Sequence, residues 1–280
     1  MKVLVTGSGG LVGSALARTG LVIERDRKAL DITQADAIAR MLDEVEPTAV
    51  INAAAQAGVD RADAEPEWTQ AVNATAVGVL AKACAARGVR FVHLSTDYVL
   101  DDPSAARLGE ACRPNPQSTY ARTKHEGECL ALDADAVVVR LQWVYHPGAT
   151  GFFNFALRQM AAGKPVRLVT DQVGCPTPAA LLAPALIQMA ADGPTGLFHL
   201  ATQGEATAWE WIEAGATEMG VPFVAEPAVR ADFEGAHRPA RSCLDSSKAE
   251  AAWGIRLPNW RTALQTVASR GDRLVSGVAP

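Results

Sequence analysis

Short apolar segments alternate with longer alanine-rich segments of helical periodicity through about residue 145. Runs of β-branched and apolar residues predict strands, whereas apolar positions three and four residues apart predict helices. The predicted strands are 3–6, 21–24, 49–53, 90–95 and 136–141, and the predicted helices are 11–18, 34–44, 67–86 and 120–132. Thr33 is the expected N-cap of the second helix. This alternation predicts an α/β fold, with a doubly wound parallel sheet covered by helices on both faces.

A glycine-rich turn joins the first predicted strand to the first predicted helix. Gly7, Gly10 and Gly13 have the spacing Gly-x-x-Gly-x-x-Gly. The first glycine permits a tight turn, the second lets the backbone approach a pyrophosphate, and the third allows close helix–strand packing. The turn therefore predicts a Rossmann-type dinucleotide site. A carboxylate near the end of the second strand favours NADH and an arginine favours NADPH. Both occur at 24–27, so either cofactor fits.

The regular alternation of strands and helices ends after residue 145, where prolines and glycines divide the chain into short segments. We therefore expect a dinucleotide-binding domain over residues 1–145. Residues 146–280 are expected to form a smaller, interleaved region that mainly binds substrate. The apolar run at 196–200 predicts a strand that returns to the main sheet.

Composition narrows the classes of function. The 280 residues are 49% hydrophobic, which is enough for a sizeable core, and carry a net charge of −5 without a basic run. Binding to nucleic acid or to an anionic membrane surface is therefore not expected. The N-terminus enters a strand directly, and the five cysteines are widely spaced without a CxxC motif. These features predict a cytoplasmic protein with reduced thiols and no metal site.

Tyr120 and Lys124 are the principal candidates for chemistry. Residues four apart share one face of a helix, so the phenol and the ammonium are expected side by side. We expect the ammonium to lower the pKa of the phenol, which would suit proton transfer beside a nicotinamide. Thr96, at the end of the fourth strand, is a candidate for hydrogen bonding to a substrate carbonyl. A structural turn is an alternative role for Thr96.

Several further segments accompany these motifs along almost the whole chain. They are Leu30-Asp31-Ile32-Thr33, Val50-Ile51-Asn52-Ala53-Ala54-Ala55, Ala64-Glu65-Pro66-Glu67, Val72-Asn73-Ala74, Ser95-Thr96-Asp97-Tyr98-Val99, Gly127-Glu128, Trp143-Val144-Tyr145, Asp171-Gln172, Pro176-Thr177, His199-Leu200, Arg238-Pro239 and 257–261. Together with the glycine turn and the Tyr-x-x-x-Lys pair, they resemble the extended short-chain dehydrogenase/reductases, and most of all the dTDP-4-dehydrorhamnose reductase family.

The resemblance implies an NADPH- or NADH-dependent oxidoreductase that reduces the C4 keto group of a dTDP-linked 6-deoxy-4-keto sugar. A homodimer is one assembly compatible with it. Its implied catalytic residues are Thr96, Tyr120 and Lys124. The implied cofactor-binding residues are Gly7, Gly10, Leu11, Val12, Gly13, Asp26, Asp31, Ile32, Ala53, Ala54, Ala55, Gln56, Ala57, Tyr120 and Lys124. The implied substrate-binding residues are Val59, Thr96, Asp97, Tyr98 and Trp143.

Some positions depart from the family pattern, and we expect them to lie near the sugar. They are residues 117–119, Ala121, Leu141, Gln142, Ala57 and Gly58. Other roles also stay open for individual residues: a turn for Asp31 in place of an adenine contact, core packing for Trp143, and a structural turn for Arg238 in place of a diphosphate contact.

Two other functions remain as alternatives. Related dehydratases carry an Asp-Glu pair after the threonine, whereas Tyr98 follows Asp97 here. This difference disfavours a sugar-nucleotide dehydratase or epimerase. The family also resembles the β-subunit of methionine adenosyltransferase, so a non-catalytic regulatory subunit that binds a dinucleotide is the second alternative.

Overall fold

The central sheet consists of six parallel strands in a computed structural model that describes residues 1–102 and 104–269. These strands are β1 (Val3–Thr6), β2 (Val22–Arg25), β3 (Ala49–Asn52), β4 (Arg90–Thr96), β5 (Val137–Leu141) and β10 (Gly196–Leu200). Their spatial order is β10-β5-β4-β3-β1-β2. The winding direction reverses beside β1, which places a crevice at the carboxyl ends of β1 and β3. This is a Rossmann-type, doubly wound fold, as predicted.

Alternate residues of each strand feed cores on opposite faces of the sheet, because side chains alternate along a strand. Val3, Val5 and Ile51 pack into one core, and Leu4 and Val50 into the other. The first core is covered by α1 (Leu11–Ala17) and α8 (Ala179–Ala191), and the second by α2 (Ala35–Val45), α5 (Ala76–Ala85) and α6 (Thr119–Leu132). The six predicted strands all occur, with ends that differ from prediction by at most one residue.

Thr33 does not cap α2, so this prediction is wrong. The helix begins after Gln34, whose side chain makes no capping hydrogen bond. The Thr33 hydroxyl instead donates to Asp31 Oδ1 at 2.7 Å. A capping side chain accepts from the first backbone N–H groups of a helix, whereas this hydroxyl acts as a donor to the carboxylate two residues earlier.

The helix predicted over 67–86 is divided into three parts. It consists of α4 (Pro66–Gln70), a π-helical turn (Ala71–Thr75) and α5. Gly127 lies against this turn so closely that a Cβ there would come within 2.1 Å of the Asn73 carbonyl oxygen. The side chain of Asn73 exchanges hydrogen bonds of 2.8 and 3.0 Å with the backbone of Gln56. The π-helical turn thereby holds the loop that follows β3.

The second half of the chain forms a third core, which includes Tyr145, Trp211 and Trp260. Its strands form three two-stranded pairs, and β10 joins the main sheet beside β5. The short strands are β6 (Val144–Tyr145), β7 (Val166–Val169), β8 (Val173–Gly174), β9 (Thr177–Pro178), β11 (Ala206–Thr207) and β12 (Ala225–Ala228). The remaining helices are α3 (Val59–Ala64), α7 (Phe152–Ala161), α9 (Ala208–Glu218), α10 (Ser247–Trp253) and α11 (Trp260–Ser269). Residues 270–280 of the expected substrate region lie outside the described residues.

The five cysteines are free thiols, as expected from their number and spacing. Within residues 1–102 and 104–269, no helix combines the length and apolar character needed to cross a membrane. Over the same ranges, no cluster of three or more histidine, cysteine or acidic residues is arranged to hold a metal ion.

Candidate active site

The glycine turn brings the β1–α1 loop into close contact with the loop after β3. Gly7 has a φ of +70°, and a Cβ at this position would lie 2.5 Å from backbone atoms of Ala54. A Cβ on Gly13 would lie 2.1 Å from the Gly7 carbonyl oxygen, so this glycine permits the helix to pack against the turn. Gly9, by contrast, faces open space. The turn is therefore built for close backbone approach, which a pyrophosphate site requires.

A cavity of about 250 Å³ opens at this turn. Of the predicted cofactor residues, Gly7, Gly10, Asp31, Ile32, Ala53, Ala54, Ala55 and Gln56 line it, whereas Leu11, Val12, Gly13, Asp26 and Ala57 are not among its lining residues. Further lining residues that we did not assign to the cofactor are Gly9, Arg27, Leu30, Arg61, Trp68 and Val72. Gly9 belongs to the glycine turn and Arg27 follows the second strand, so both lie in segments that the sequence had indicated. No sequence signal connected Trp68 with either of them.

Two neighbouring residues at the end of β2 have different roles. Asp26 Oδ1 accepts hydrogen bonds from the backbone N–H groups of Lys28 and Ala29, at 3.0 and 2.8 Å, and so closes its own turn. The Arg27 guanidinium lies over the Trp68 ring, 4.7 Å from its centroid, and lines the cavity. The positively charged member of the pair thus faces the cavity.

Asp31 both lines the cavity and forms a turn. Its Oδ1 accepts from the Thr33 backbone N–H at 3.0 Å and from the Thr33 hydroxyl at 2.7 Å. These hydrogen bonds lower the pKa of Asp31 below its ordinary value. The turn role is present in the structure, and the second carboxylate oxygen leaves the adenine role open.

Thr96 and Tyr120 meet at the carboxyl end of β4. Tyr120 is the second residue of α6, and the Ser118 side chain caps this helix by accepting from the Ala121 N–H at 3.2 Å. The Thr96 hydroxyl donates to Asp97 Oδ1 at 3.2 Å and accepts from the Tyr98 N–H at 3.3 Å, and it lies close enough to Tyr120 to act on the pKa of the phenol. The ring of Tyr98 packs edge-on against that of Tyr120 with centroids 5.8 Å apart. The helix cap and the strand end together place two of the three predicted catalytic residues near each other.

Lys124 lies one turn further along α6 and is buried. Its Nζ donates to the Leu94 carbonyl oxygen at 2.6 Å and lies 3.4 Å from His93 Nε2. Burial lowers the pKa of Lys124 to about 8, against an opposing effect of Glu128. Burial also raises the pKa of Tyr120 to about 12, although the nearby Thr96 hydroxyl opposes this rise. The expectation that Lys124 lowers the pKa of the phenol is therefore wrong for this structure.

A buried ion pair fixes the underside of α6. Arg140 on β5 donates to both carboxylate oxygens of Glu128, at 2.8 and 2.7 Å, and Ser95 donates to Oε1 at 2.5 Å. Burial raises the pKa of Glu128, but the hydrogen bonds from Arg140, His125 and Ser95 outweigh it and hold the pKa below its ordinary value. Bidentate contacts of this kind set both position and orientation. The helix that carries Tyr120 and Lys124 is thus anchored to β4 and β5.

Asp97 is buried next to Thr96 and is held by side chains from distant parts of the chain. Its Oδ2 accepts from the Ser242 hydroxyl at 2.5 Å and from Gln142 Nε2 at 3.3 Å. Burial raises the pKa of Asp97 to about 6. Gln142 is therefore a buried support for Asp97. Leu141 and Ala121 are also buried, so our expectation that these three departures from the family pattern face the sugar is wrong.

A larger cavity, of about 820 Å³, lies on the other side of α3. Asp60 lines this cavity, whereas the next residue, Arg61, lines the smaller one. Tyr98 and Trp143 are among its lining residues, and Val59, Thr96 and Asp97 are not. The larger cavity also exposes Arg167, Arg230 and Arg238, which sequence patterns alone did not place together. Each of them is paired with a carboxylate: Arg167 with Asp232, Arg230 with Asp171 and Arg238 with Asp60.

Trp143 takes an unusual backbone conformation at the edge of this cavity. Its φ is +41°, and its ring fills the space above Gly174, where a Cβ would come within 2.4 Å of the indole. Its ring centroid lies 5.7 Å from that of Trp211. Trp143 is therefore both a packing residue and a wall of the cavity. Arg238 donates to Asp60 Oδ2 at 2.7 Å, which links the C-terminal region to α3.

Comparisons with known proteins agree with this architecture. Residues 1–272 match the family model described as the RmlD substrate binding domain. The dTDP-4-dehydrorhamnose reductase of Mycobacterium tuberculosis is 37% identical over 95% of this chain and 91% of its own. The probable low-salt glycan biosynthesis reductase of Haloferax volcanii is 35% identical over 92% of this chain and 94% of its own.

A solved structure of a dTDP-4-dehydrorhamnose reductase from Clostridium acetobutylicum superposes with a TM-score of 0.88. It is 28% identical and covers 96% of this chain and 99% of its own. The family match extends over nearly the whole sequence, and the solved relative shares the fold. The chain belongs to the RmlD substrate binding domain family.

Proposed function

We propose that the protein is an NAD(P)H-dependent reductase of the C4 keto group of a dTDP-linked 6-deoxy-4-keto sugar. Relatives named dTDP-4-dehydrorhamnose reductase, including those of Mycobacterium tuberculosis and Mycolicibacterium smegmatis, support this substrate class. The observation that carries the proposal is the position of Tyr120 beside Thr96, with its ring against that of Tyr98 in the wall of the larger cavity.

The residues around the smaller cavity fit a dinucleotide. The close approach of Gly7 to Ala54 leaves no room for a side chain, and small residues at 53–55 continue the open wall. We assign residues 1–145 to cofactor binding and residues 146–280 mainly to substrate binding. The bound nicotinamide supplies the hydride. The larger cavity then receives the sugar nucleotide, and its arginines would bind the diphosphate in place of their aspartate partners.

In this proposal Tyr120 is the acid. A pKa of about 12 keeps the phenol protonated at neutral pH, so its proton is available to the oxygen on which negative charge develops. Thr96 orients the carbonyl through its hydroxyl. Lys124 would hold the nicotinamide ribose and complete the set of donors. Donors fixed in place before the reaction are the principal source of rate enhancement in sites of this kind.

Two finer assignments belong with this proposal. We assign the protein to the cytoplasm because its cysteines are free thiols, and we take a homodimer as the assembly to test first. A regulatory role without catalysis and an epimerase or dehydratase activity remain rivals. Tyr98 in place of a second carboxylate disfavours elimination chemistry.

Tyr120→Phe tests the role of the acid. This variant removes one hydroxyl and is expected to lower kcat by about 10²–10⁴-fold, which is the usual contribution of a positioned general acid. The reaction would be followed by NADPH and NADH oxidation with dTDP- and UDP-linked 4-keto sugars, and the product alcohol identified by NMR.

The matched control is binding of NADPH and NADH to the Tyr120→Phe variant, which should change by less than about threefold because a single neutral hydrogen bond contributes little net free energy. Wild-type kcat in the variant would rule out Tyr120 as the acid. Absence of oxidation with every 4-keto sugar, together with co-purification of a larger enzyme, would instead favour the regulatory function.

A further inference from the structure

Buried polar side chains on the neighbouring strands β1, β3 and β4 form a row that ends at Lys124 on α6. The Thr6 hydroxyl lies 2.6 Å from Asn52 Oδ1, Asn52 Nδ2 lies 3.2 Å from His93 Nδ1, and His93 Nε2 lies 3.4 Å from Lys124 Nζ. Thr6, Asn52 and His93 are fully buried, and Lys124 is nearly so. Polar groups that are buried this deeply must form hydrogen bonds with one another.

The direction of these hydrogen bonds is fixed at one end by the backbone. The N–H of Ala54 donates to Asn52 Oδ1 at 3.2 Å, and an N–H can only donate. The oxygen of the Asn52 amide therefore points to Ala54 and Thr6, and its NH₂ group points to His93. Consequently His93 Nδ1 is an acceptor and the ring proton resides on Nε2, an assignment that follows from the network.

The proton on His93 Nε2 faces the side-chain nitrogen of Lys124. An ammonium group has three donors and no acceptor, whereas an unprotonated amine has a lone pair. Lys124 Nζ already donates to the Leu94 carbonyl oxygen. Only the unprotonated amine can donate to Leu94 and also accept from His93. A protonated Lys124 would place two donors against each other in a buried site, which costs free energy.

We propose that His93 is a positioning residue for Lys124, and that its N–H, oriented by Asn52 and the Ala54 backbone, favours the unprotonated amine. The consequence of this inference for the reaction rests on the proposed function. The charge state of Lys124 can be measured independently of that function.

The other titratable groups around Lys124 are Glu128, Tyr120 and Asp97, and their effects on the Lys124 pKa must be distinguished from that of His93. Glu128, one turn later on α6, favours the ammonium, but its charge is paired with Arg140. Tyr120 lies one turn earlier, and Asp97 on the turn after β4 is bound to Ser242 and Gln142. Burial lowers the pKa of Lys124 to about 8, and burial together with Lys124 lowers the pKa of His93 well below its ordinary value. His93 thus stays neutral while Lys124 titrates.

The test is a pH titration of the full chain labelled with ¹³C at the lysine Cε, read by NMR. The protein has six lysines, so the spectrum is simple, and Lys124→Arg identifies the Lys124 signal. We expect the Lys124 midpoint to be the lowest of the six. Asn52→Leu frees His93 Nδ1 to carry the proton, and His93→Phe removes the opposing N–H. Each variant should raise the midpoint by about one pH unit, a tenfold change in the ionisation equilibrium.

Thr6→Val is the matched control. It removes a buried hydrogen bond from the same row, but the Ala54 N–H still orients Asn52, so the midpoint should stay at its wild-type value. Asn52→Asp, whose carboxylate accepts from His93 Nδ1, should raise the midpoint even if Asn52→Leu does not fold. An unchanged midpoint in His93→Phe and in the Asn52 variants would overturn the proposal, as would an equal rise in Thr6→Val.

The same variants separate this proposal from the proposed function. If the ammonium form of Lys124 supports reduction, the alkaline decline of kcat should move to higher pH in His93→Phe and Asn52→Leu. The NMR midpoint is measured without substrate or cofactor. It can therefore support or overturn the role of His93 even if no sugar nucleotide is reduced.

Discussion

The two cavities on either side of α3 are built in different ways. The smaller one is formed by residues within 7–72, with glycines and alanines at the ends of β1 and β3 on one side and larger side chains such as Arg27 and Trp68 on the other. The larger one combines Asp60 and Tyr98 with side chains from Trp143 to Arg238, which come from many loops and helices. The first depends on the absence of side chains at its glycine turn, whereas the second depends on which side chains the fold brings together. Substitutions should therefore act on the two cavities through different physical causes.

Gly7→Ala should produce the largest effect, because the smaller cavity tolerates no side chain at this turn. Its Cβ would meet Ala54 backbone atoms at 2.5 Å, and the residue has positive φ. We expect a loss of stability of about 2–4 kcal/mol and at least about 100-fold weaker NADPH binding. Urea denaturation and fluorescence titration would measure them.

Gly9→Ala is the matched control in the same turn, since a Cβ there meets nothing within 4 Å. Its stability should stay within about 0.5 kcal/mol of wild type. Equal losses of stability in the two variants would show that the turn tolerates a side chain at neither position. The close approach of Gly7 to Ala54 would then not explain the loss.

Asp97→Asn examines the buried polar side chains that support the larger cavity. The folded protein raises the pKa of Asp97 from 3.8 to about 6, so the carboxylate is destabilising above pH 6 and this cost disappears as the pH falls to about 4. At pH 7.5 the variant should therefore gain stability relative to wild type, by up to roughly 3 kcal/mol.

The gain should shrink at pH 4.5, which urea denaturation of both proteins at the two pH values would measure. A difference that is independent of pH would mean that the carboxylate is not strained by burial. Comparing the variant with wild type at each pH cancels the titration of all other carboxylates.

Arg27→Ala tests which cofactor the smaller cavity prefers. Arg27 lines the cavity over Trp68, whereas Asp26 is engaged in its own turn. A guanidinium can bind the 2′-phosphate that distinguishes NADPH from NADH. We expect the ratio of kcat/KM for NADPH to that for NADH to fall about tenfold, which corresponds to roughly 1.4 kcal/mol. Arg25→Ala, whose guanidinium bonds the Glu24 carbonyl outside the cavity, should leave the ratio unchanged.

The contrast between the cavities also explains what the sequence could predict. The parallel sheet, the glycine turn and the loop at 53–55 depend on local patterns, since each strand and its following turn are contiguous. The proximity of Thr96 and Tyr120 was also accessible, because α6 follows β4 and the N-terminus of such a helix lies at the carboxyl edge of the parallel sheet.

Other features depended on distant partners. Gln142 was expected near the sugar, but it meets Ser242 and Asp97, 100 and 45 residues away. No local pattern shows such a contact. The pKa of Tyr120 was expected to fall because a lysine lies four residues away. Burial, which depends on the whole fold, raises it instead. The three arginine–aspartate pairs of the larger cavity likewise appear only once β7, Asp171, α3 and the segment at 230–238 are assembled.

Tyr145→Phe should have the smallest effect and probes packing in the wall of the larger cavity. The Tyr145 ring lies 4.7 Å from that of Phe153 and 5.2 Å from that of Trp211 by their centroids, and its buried hydroxyl has no hydrogen-bond partner among the described residues. Removing an unsatisfied buried hydroxyl while keeping the ring should stabilise the protein by about 1 kcal/mol. Leu168→Ala, a cavity-forming change in the same core, should instead destabilise it by about 2–5 kcal/mol. A loss of stability in Tyr145→Phe, measured by thermal or urea denaturation, would mean that the hydroxyl is satisfied in solution. The wall of the larger cavity would then depend on a polar contact at this position as well as on packing.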